Sequence, residues 1–186
     1  DAVAAKRAQE YLEQCMKAQN SSGGVVECRI TGVPAGIGEP VFQKLDSALA
    51  GAVFSIGAVK GFEIGDGFAA AKADGRTNND GFYYDKDGSI RKETNHAGGI
   101  LGGISDGDEI IFRAAFKPTP SISATQQTVN KNGETISVNV KGRHDPVIVP
   151  RAAVVVESMA ALTLADLMLI NMSAQADFVA EHYHRT

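Results

Sequence analysis

Residues 94–116 read TNHAGGILGGISDGDEIIFRAAF. The first fourteen hold five glycines, Gly98, Gly99, Gly102, Gly103 and Gly107, just behind His96. Glycine loses more conformational freedom on folding than any other residue, so such a run requires unusual backbone angles or a surface lying close against the backbone. The last eight residues, Glu109 to Phe116, are rich in β-branched and aromatic side chains and read as a strand. No strand-turn-helix surrounds the glycines, so the run is not a dinucleotide fingerprint. Two readings stay open at this point. One is a set of tight turns between strands. The other is close approach of bare amides to a flat or phosphorylated ligand.

Working outward, further strands appear. Val25 to Thr31 (VVECRIT) is β-branched, and Lys60 to Gly65 is a short strand or turn. Thr128–Val129 and Thr135 to Val140 flank Asn132-Gly133, a hairpin turn signal. Ala73 to Lys92 is polar and predicts an exposed excursion with a hairpin around Asp87-Gly88. Helices are few. Asp1 caps a first helix to about Ala18, broken by the polar and glycine residues 20–24. Gly32 to Pro40 is a loop, and Pro40 suits the first position of a second helix. Val41, Leu45, Leu49, Ala52 and Val53 recur at helical spacing through about Ser55. A third helix runs from near Arg151 to about Met172. Strands that neighbour strands favour an α+β class over a doubly wound parallel sheet.

The 186 residues suit one domain or a piece of a larger one. With 44% hydrophobic and 22% charged residues, the composition is globular rather than disordered. A net charge of -4 argues against a general nucleic-acid binder, although local basic sites remain possible. The apolar stretch from Ala152 to Met172 is interrupted by Glu157, Asp166 and Asn171, which favours a buried helix over a membrane span. Cys15 and Cys28 lack metal or redox spacing and are expected to be reduced thiols in the cytoplasm, with a disulfide as the alternative. The chain opens DAVAAKRAQEYLEQ, without Met and already helix-forming, so a processed or excised piece is expected.

Two further segments carry chemistry. In Phe116 to Ile122 (FKPTPSI), Pro118 and Pro120 stiffen an array of Lys117, Thr119 and Ser121. One cation with two hydroxyls suits a phosphate, and an edge-strand exit with solvated polar groups is the alternative. In Lys141 to Pro146 (KGRHDP), Arg143 offers a planar fork for a carboxylate or phosphate, and Asp145 can act as a base or orient its neighbours. A salt-bridged turn ahead of the helix is the alternative there. Lys60 can face an anion or be a surface lysine. His182 and His184 lack neighbouring ligands for a metal.

Taken in order, GGVVECRITGVPAGIGEPVFQKLDSALA (Gly23 to Ala50), SIGAVKGFEIGDGF (Ser55 to Phe68), NHAGGILGGISDG (Asn95 to Gly107), KPTPSI (Lys117 to Ile122) and GRHDP with VPRA (Gly142 to Ala152) resemble the C-terminal half of the chorismate synthase family. The resemblance implies an α+β core with helices sandwiched between antiparallel sheets, here as a partial chain over residues 1–186. It implies a cytoplasmic shikimate-pathway lyase that makes chorismate from 5-enolpyruvylshikimate 3-phosphate by trans-1,4 elimination of phosphate. It also implies reduced FMN as cofactor, NADP in members that reduce their own flavin, a homotetramer, and no nucleic-acid, membrane or metal partner. By resemblance, Gly57, Ala58, Gly102, Lys117, Pro118, Thr119, Pro120, Ser121 and Arg143 are flavin contacts. Asp145 matches the aspartate near the reactive flavin nitrogen. The family's early Gly-Glu-Ser-His-Gly stretch and its later arginine-serine flavin motif are absent from these residues. Pro120 stands where serine is frequent, and Val147 where cysteine is. The chain by itself is therefore expected to be inactive, and a non-catalytic assembly or phosphate- or flavin-binding module is the alternative.

Overall fold

The computed structural model describes residues 1–142, 144–174 and 176–184. Its organising element is β7 (Ile110–Phe116), the strand read at the end of the glycine run. This strand lies between β1 (Gly24–Ile30) and β2 (Val59–Ile64) and is antiparallel to both. Burial alternates along it: Ile110, Phe112, Ala114 and Phe116 are buried, and the residues between them are half-buried. A period of two therefore gives the sheet one core face.

Helices α2 (Leu45–Phe54) and α4 (Val149–Ser173) cover that face. Leu45, Leu49 and Val53 come from α2, and Ala152, Val156, Ala160, Leu164 and Leu167 form one helical stripe on α4. The fold is α+β, an antiparallel sheet packed with helices. Across the opposite face, Arg113 Nε donates to Glu27 Oε2 at 2.9 Å and Arg113 Nη1 to Glu63 Oε1 at 3.4 Å. These three residues are in register across the strands, where opposite charges support pairing.

Three two-stranded hairpins surround this body. β3 (Phe82–Tyr84) and β4 (Ile90–Lys92) pair across the expected Asp87-Gly88 turn, and β8 (Gln126–Val129) and β9 (Thr135–Val138) pair around Gly133. The third hairpin, β5 (Ile100–Leu101) with β6 (Ile104–Ser105), is made from the glycine run itself. Helix α1 (Ala2–Lys17) is capped by Asp1, whose Oδ1 accepts from the N–H groups of Val3 and Ala4. A 3-10 turn (Gly67–Lys72), α3 (Gly75–Asn78) and α5 (Ala176–His184) complete the chain.

Two boundaries differ from the sequence expectation. The second helix begins at Leu45, not at Pro40. Glu39 N–H donates to the Gln43 carbonyl, Val41 has φ +65°, and Phe42 is 87% exposed. The Leu45 N–H donates to the Gly103 carbonyl at 2.7 Å, so a contact from the β5–β6 hairpin, rather than the proline, fixes the helix entry. Helix α4 starts at Val149, with Pro150 in its first turn, where the missing N–H costs nothing.

Helix α4 is apolar on two sides. Away from the sheet, Val154, Leu162, Leu169 and Met172 are 60%, 65%, 65% and 53% exposed. Ser158, Ala161 and Ala165 lie among them at helical spacing, and Glu157 and Asp166 fall at the margins. A helix that is apolar all round is suited to burial on both faces.

Candidate functional site

The segment from Ser55 to Ala58 leaves the C-terminal end of α2 and enters β2, and the strand beside it, β7, exits into Lys117. The Lys117 N–H donates to the Ala58 carbonyl at 2.9 Å. Ala58 holds φ +72°, a conformation that costs an L-residue about 1–2 kcal/mol. The register slips between Val59 and Gly61, which makes a bulge at Lys60. Bulges re-aim side chains, and this one sets Lys60 at the same end of the sheet as Lys117. Lys117 is exposed and has no ion pair among the described residues.

Beyond Lys117 the chain is held from several sides. Ser21 Oγ donates to the Thr119 carbonyl at 2.7 Å, and Gln126 Nε2 donates to the Pro120 carbonyl at 3.3 Å. Thr119 Oγ1 is buried and lacks a hydrogen-bond partner. A buried hydroxyl left unpaired is costly. Pro118 lies against Gly23. The Ser22 N–H donates to the Pro146 carbonyl at 2.7 Å, which ties Pro146 to the same end.

Asp145 lies in a cleft of about 270 Å³ lined by Asn20, Ser21, Ile122, Ser123 and His144. Its Oδ2 accepts from Arg151 Nη1 at 2.8 Å, and the Arg151 side chain is 77% exposed. An ion pair this open holds only weakly, so Asp145 stays available while keeping its orientation. Arg143, the expected flavin-contacting arginine, lies outside the described residues. Gly57, Ala58, Lys117, Pro118, Thr119, Pro120, Ser121 and Asp145 thus occupy one end of the molecule.

Gly102 is elsewhere. It turns the β5–β6 hairpin, whose Gly103 carbonyl meets the first residue of α2, whereas Gly57 follows the last. Ten helical residues, about 15 Å of helix, separate the two places. The glycines of the run also divide by role. A Cβ on Gly98 would come within 2.6 Å of Gly65 Cα, one on Gly99 within 2.6 Å of the Glu109 carbonyl oxygen, and one on Gly103 within 2.6 Å of Lys44 Cβ. Those three serve internal packing, the first of the two sequence readings. Only at Gly102, with φ +61°, is there nothing within 4 Å, so its bare backbone faces open space.

One charged cluster was not legible in the sequence. Lys92 and Asp80, both within the excursion expected to be exposed, have side chains only 2% accessible. Lys92 Nζ donates to Asp106 Oδ2 at 2.7 Å and to Asn95 Oδ1 at 2.9 Å. Asp80 accepts from Thr94 Oγ1 and from the N–H groups of His96 and Ala97. The usable signal was the hairpin: pairing Phe82 with Lys92 brings the residues just outside it, Asp80 among them, close to the Lys92 end. His96 Nδ1 donates to Asp66 Oδ2 at 2.6 Å. Burial, with Glu157 adding to it, pushes the Cys28 thiol up, so it stays a neutral thiol rather than a nucleophile.

Burial alone would raise the Asp80 carboxyl. Bonds from Thr94 Oγ1, Ala97 N–H and His96 N–H, with the Lys92 charge, outweigh it and hold the group below its usual range. A depressed folded value means that Asp80 contributes stability above the unfolded value, about 3.9, and loses it as pH falls through the folded value. The stability gap between wild type and Asp80→Asn, read by urea denaturation, is expected to be full at pH 7 and to narrow below about pH 4. A gap unchanged at pH 3 would show that the charge of Asp80 contributes nothing.

Comparison with known proteins identifies the family. Residues 1–169 match the family model described as chorismate synthase. The chain is 66% identical over 185 residues to a chorismate synthase of Lachnoclostridium phytofermentans and 63% identical over 185 residues to one of Agathobacter rectalis. In both cases all of this chain aligns with 50% of the relative, so the chain spans about half the length of the curated relatives it matches. A solved structure titled as the crystal structure of chorismate synthase superimposes with a TM-score of 0.73 at 31% identity, covering 90% of this chain and 43% of that one.

Proposed function

Because this chain belongs to the chorismate synthase family, we propose that it supplies the C-terminal half of a cytoplasmic shikimate-pathway lyase. The reaction is the trans-1,4 elimination of phosphate from 5-enolpyruvylshikimate 3-phosphate to give chorismate, with reduced FMN. The observation that carries this reading is the exposed Lys117, without an ion pair among the described residues, where β7 exits into the proline-stiffened segment. A cation without a counter-charge fits an anionic group such as a phosphate.

When bound, reduced FMN supplies electron density for the breaking of the allylic C–O bond. The chain's own residues bind and orient. Lys117 offsets negative charge. The strained Ala58 carbonyl fixes where the Lys117 backbone lies. Ser21 and Gln126 hold the proline-stiffened strap in place. Asp145, oriented by Arg151, accepts or relays the proton lost from substrate. Gly102 lets a planar ligand approach backbone without meeting a Cβ. Arg143 adds a fork for the phosphate.

The uncovered side of α4 supports the same reading, since a second layer of a family-length protein would pack there. It equally favours the second reading, a non-catalytic module that self-associates through this face. Light scattering separates them: concentration-dependent oligomers without flavin affinity would favour the module.

Titration with reduced FMN under anaerobic conditions is the direct test. Lys117→Ala removes one charge-assisted bond, about 1.5–3 kcal/mol, and is expected to weaken FMN binding at least tenfold. Chorismate absorbance should show no turnover by the chain alone, because the remaining catalytic groups would come from the other half. Equal FMN affinity in wild type and Lys117→Ala would refute the placement of the cofactor.

A further inference from the structure

We propose that Lys92 is a positioning residue: its buried ammonium clamps the base of the β5–β6 hairpin and so fixes where Gly102 is presented. The functional half of this inference rests on the flavin reading given above.

The clamp joins the two ends of one loop. Asn95, at the entry, accepts from Lys92 Nζ and from the Gly99 N–H through the same oxygen, at 2.9 and 2.8 Å. Its Nδ2 donates to the Glu109 carbonyl at 2.8 Å. Asp106, at the exit, accepts from Lys92 at 2.7 Å, and its N–H donates to the Gly99 carbonyl at 3.1 Å. Asp80 and Asp108 approach the same nitrogen at 3.7 and 3.5 Å. One cation therefore faces three carboxylates, of which Asp80 and Asp106 are buried with it. Removing it would leave like charges pressed together with no counter-charge, and the loop ends would part.

Neutral bonds hold the second strand and the turn of the hairpin. Ser105 Oγ donates to the Pro34 carbonyl and accepts from the Ile37 N–H. The Gly103 carbonyl accepts from the Leu45 N–H. These bonds join the hairpin to residues 34–45, and the Ser105 N–H and carbonyl pair with Ile37 and Gly36 beside them. The ammonium adds a charged tie between Asn95 and Asp106, which also meet through Gly99. It also links this hairpin to β3–β4, because Lys92 ends β4.

The experiment uses the whole 186-residue chain and compares Lys92→Met with Lys92→Arg. Native-state hydrogen exchange is read at the Gly99 and Leu45 amides, with the Phe112 and Ala114 amides of β7 as the control. The expected result is exchange about tenfold faster at Gly99 and Leu45 in Lys92→Met, an unchanged control, and recovery in Lys92→Arg. FMN affinity is expected to fall in parallel and to recover in Lys92→Arg. A role limited to fold stability would instead raise exchange at β7 as well.

Unchanged exchange at Gly99 would overturn the clamp. Faster exchange with unchanged FMN affinity would overturn the positioning role. No FMN binding by wild type would defeat the flavin reading and the positioning role together, a result distinct from tight binding by both proteins, which defeats Lys92 alone. Should Lys92→Met fail to fold, Asp106→Asn takes the charge from the shortest bond to the ammonium and is held to the same readouts.

Discussion

Gly98→Ala is expected to destabilise the chain by about 2–5 kcal/mol, combining the left-handed backbone penalty with the cost of overpacking. At φ +65° an L-residue is strained before any neighbour is considered. The added Cβ would then sit 2.6 Å from Gly65 Cα and 2.9 Å from the Ile111 carbonyl oxygen, so backbone would have to separate from backbone. Neither neighbour is a flexible side-chain end that could swing away. The crossing of residues 65 and 98 also fixes the start of β7, because the Gly65 N–H donates to the Ile111 carbonyl and the Ile111 N–H to the Gly98 carbonyl. Gly102→Ala serves as the comparison. It carries a similar φ, +61°, with open space around it, so it should cost only about 1–2 kcal/mol. Urea denaturation of both variants, analysed with a common slope, measures the difference. Equal losses would mean that close packing at Gly98 has no weight. Because Gly102 is spared structurally, a loss of FMN binding in Gly102→Ala would report on ligand approach rather than on folding.

Phe112→Ala is expected to cost about 3–5 kcal/mol, which is a large share of the stability of a typical domain. Phe112 is fully buried at the middle of the central strand, and its ring lies 5.1 Å from that of Phe62 on β2. It belongs to the cluster in which α2 and α4 meet the sheet. Deleting it opens a cavity that strand pairing on both sides prevents from collapsing, so the cavity cost adds to the lost transfer energy. Leu162→Ala, on the uncovered side of α4, should change stability by no more than about 0.5 kcal/mol. Thermal denaturation of the two variants tests the pair. A large loss from Leu162→Ala would mean that the second face of α4 is already covered, for instance by self-association.

Different parts of the site came from different kinds of information. Lys117, Thr119, Ser121 and Asp145 stand in short segments whose composition already advertises anion chemistry. The cluster around Lys92 had no such mark. Its carboxylates lie twelve residues before it, in the polar stretch that reads as solvated, and fourteen and sixteen after it, at the end of the glycine run. The start of α2 was similarly misplaced, because Pro40 is a good local signal while the deciding hydrogen bond comes from Gly103.

The sequence by itself determined the α+β class, the strand read from Glu109 to Phe116, the hairpin turns at Gly88 and Gly133 and the long apolar helix, and its ordered segments carried the resemblance to the family. The structural elements rest on periodicity, turn chemistry or runs of residues that act on near neighbours. Only the tertiary structure decided which glycines pack inward and which one faces outward, where Lys92 finds its counter-charges, and that Gly102 stands a helix length from Lys117. Those outcomes depend on backbone segments that meet across tens of residues. A chain specifies such meetings through its whole packed core, and no local pattern records them.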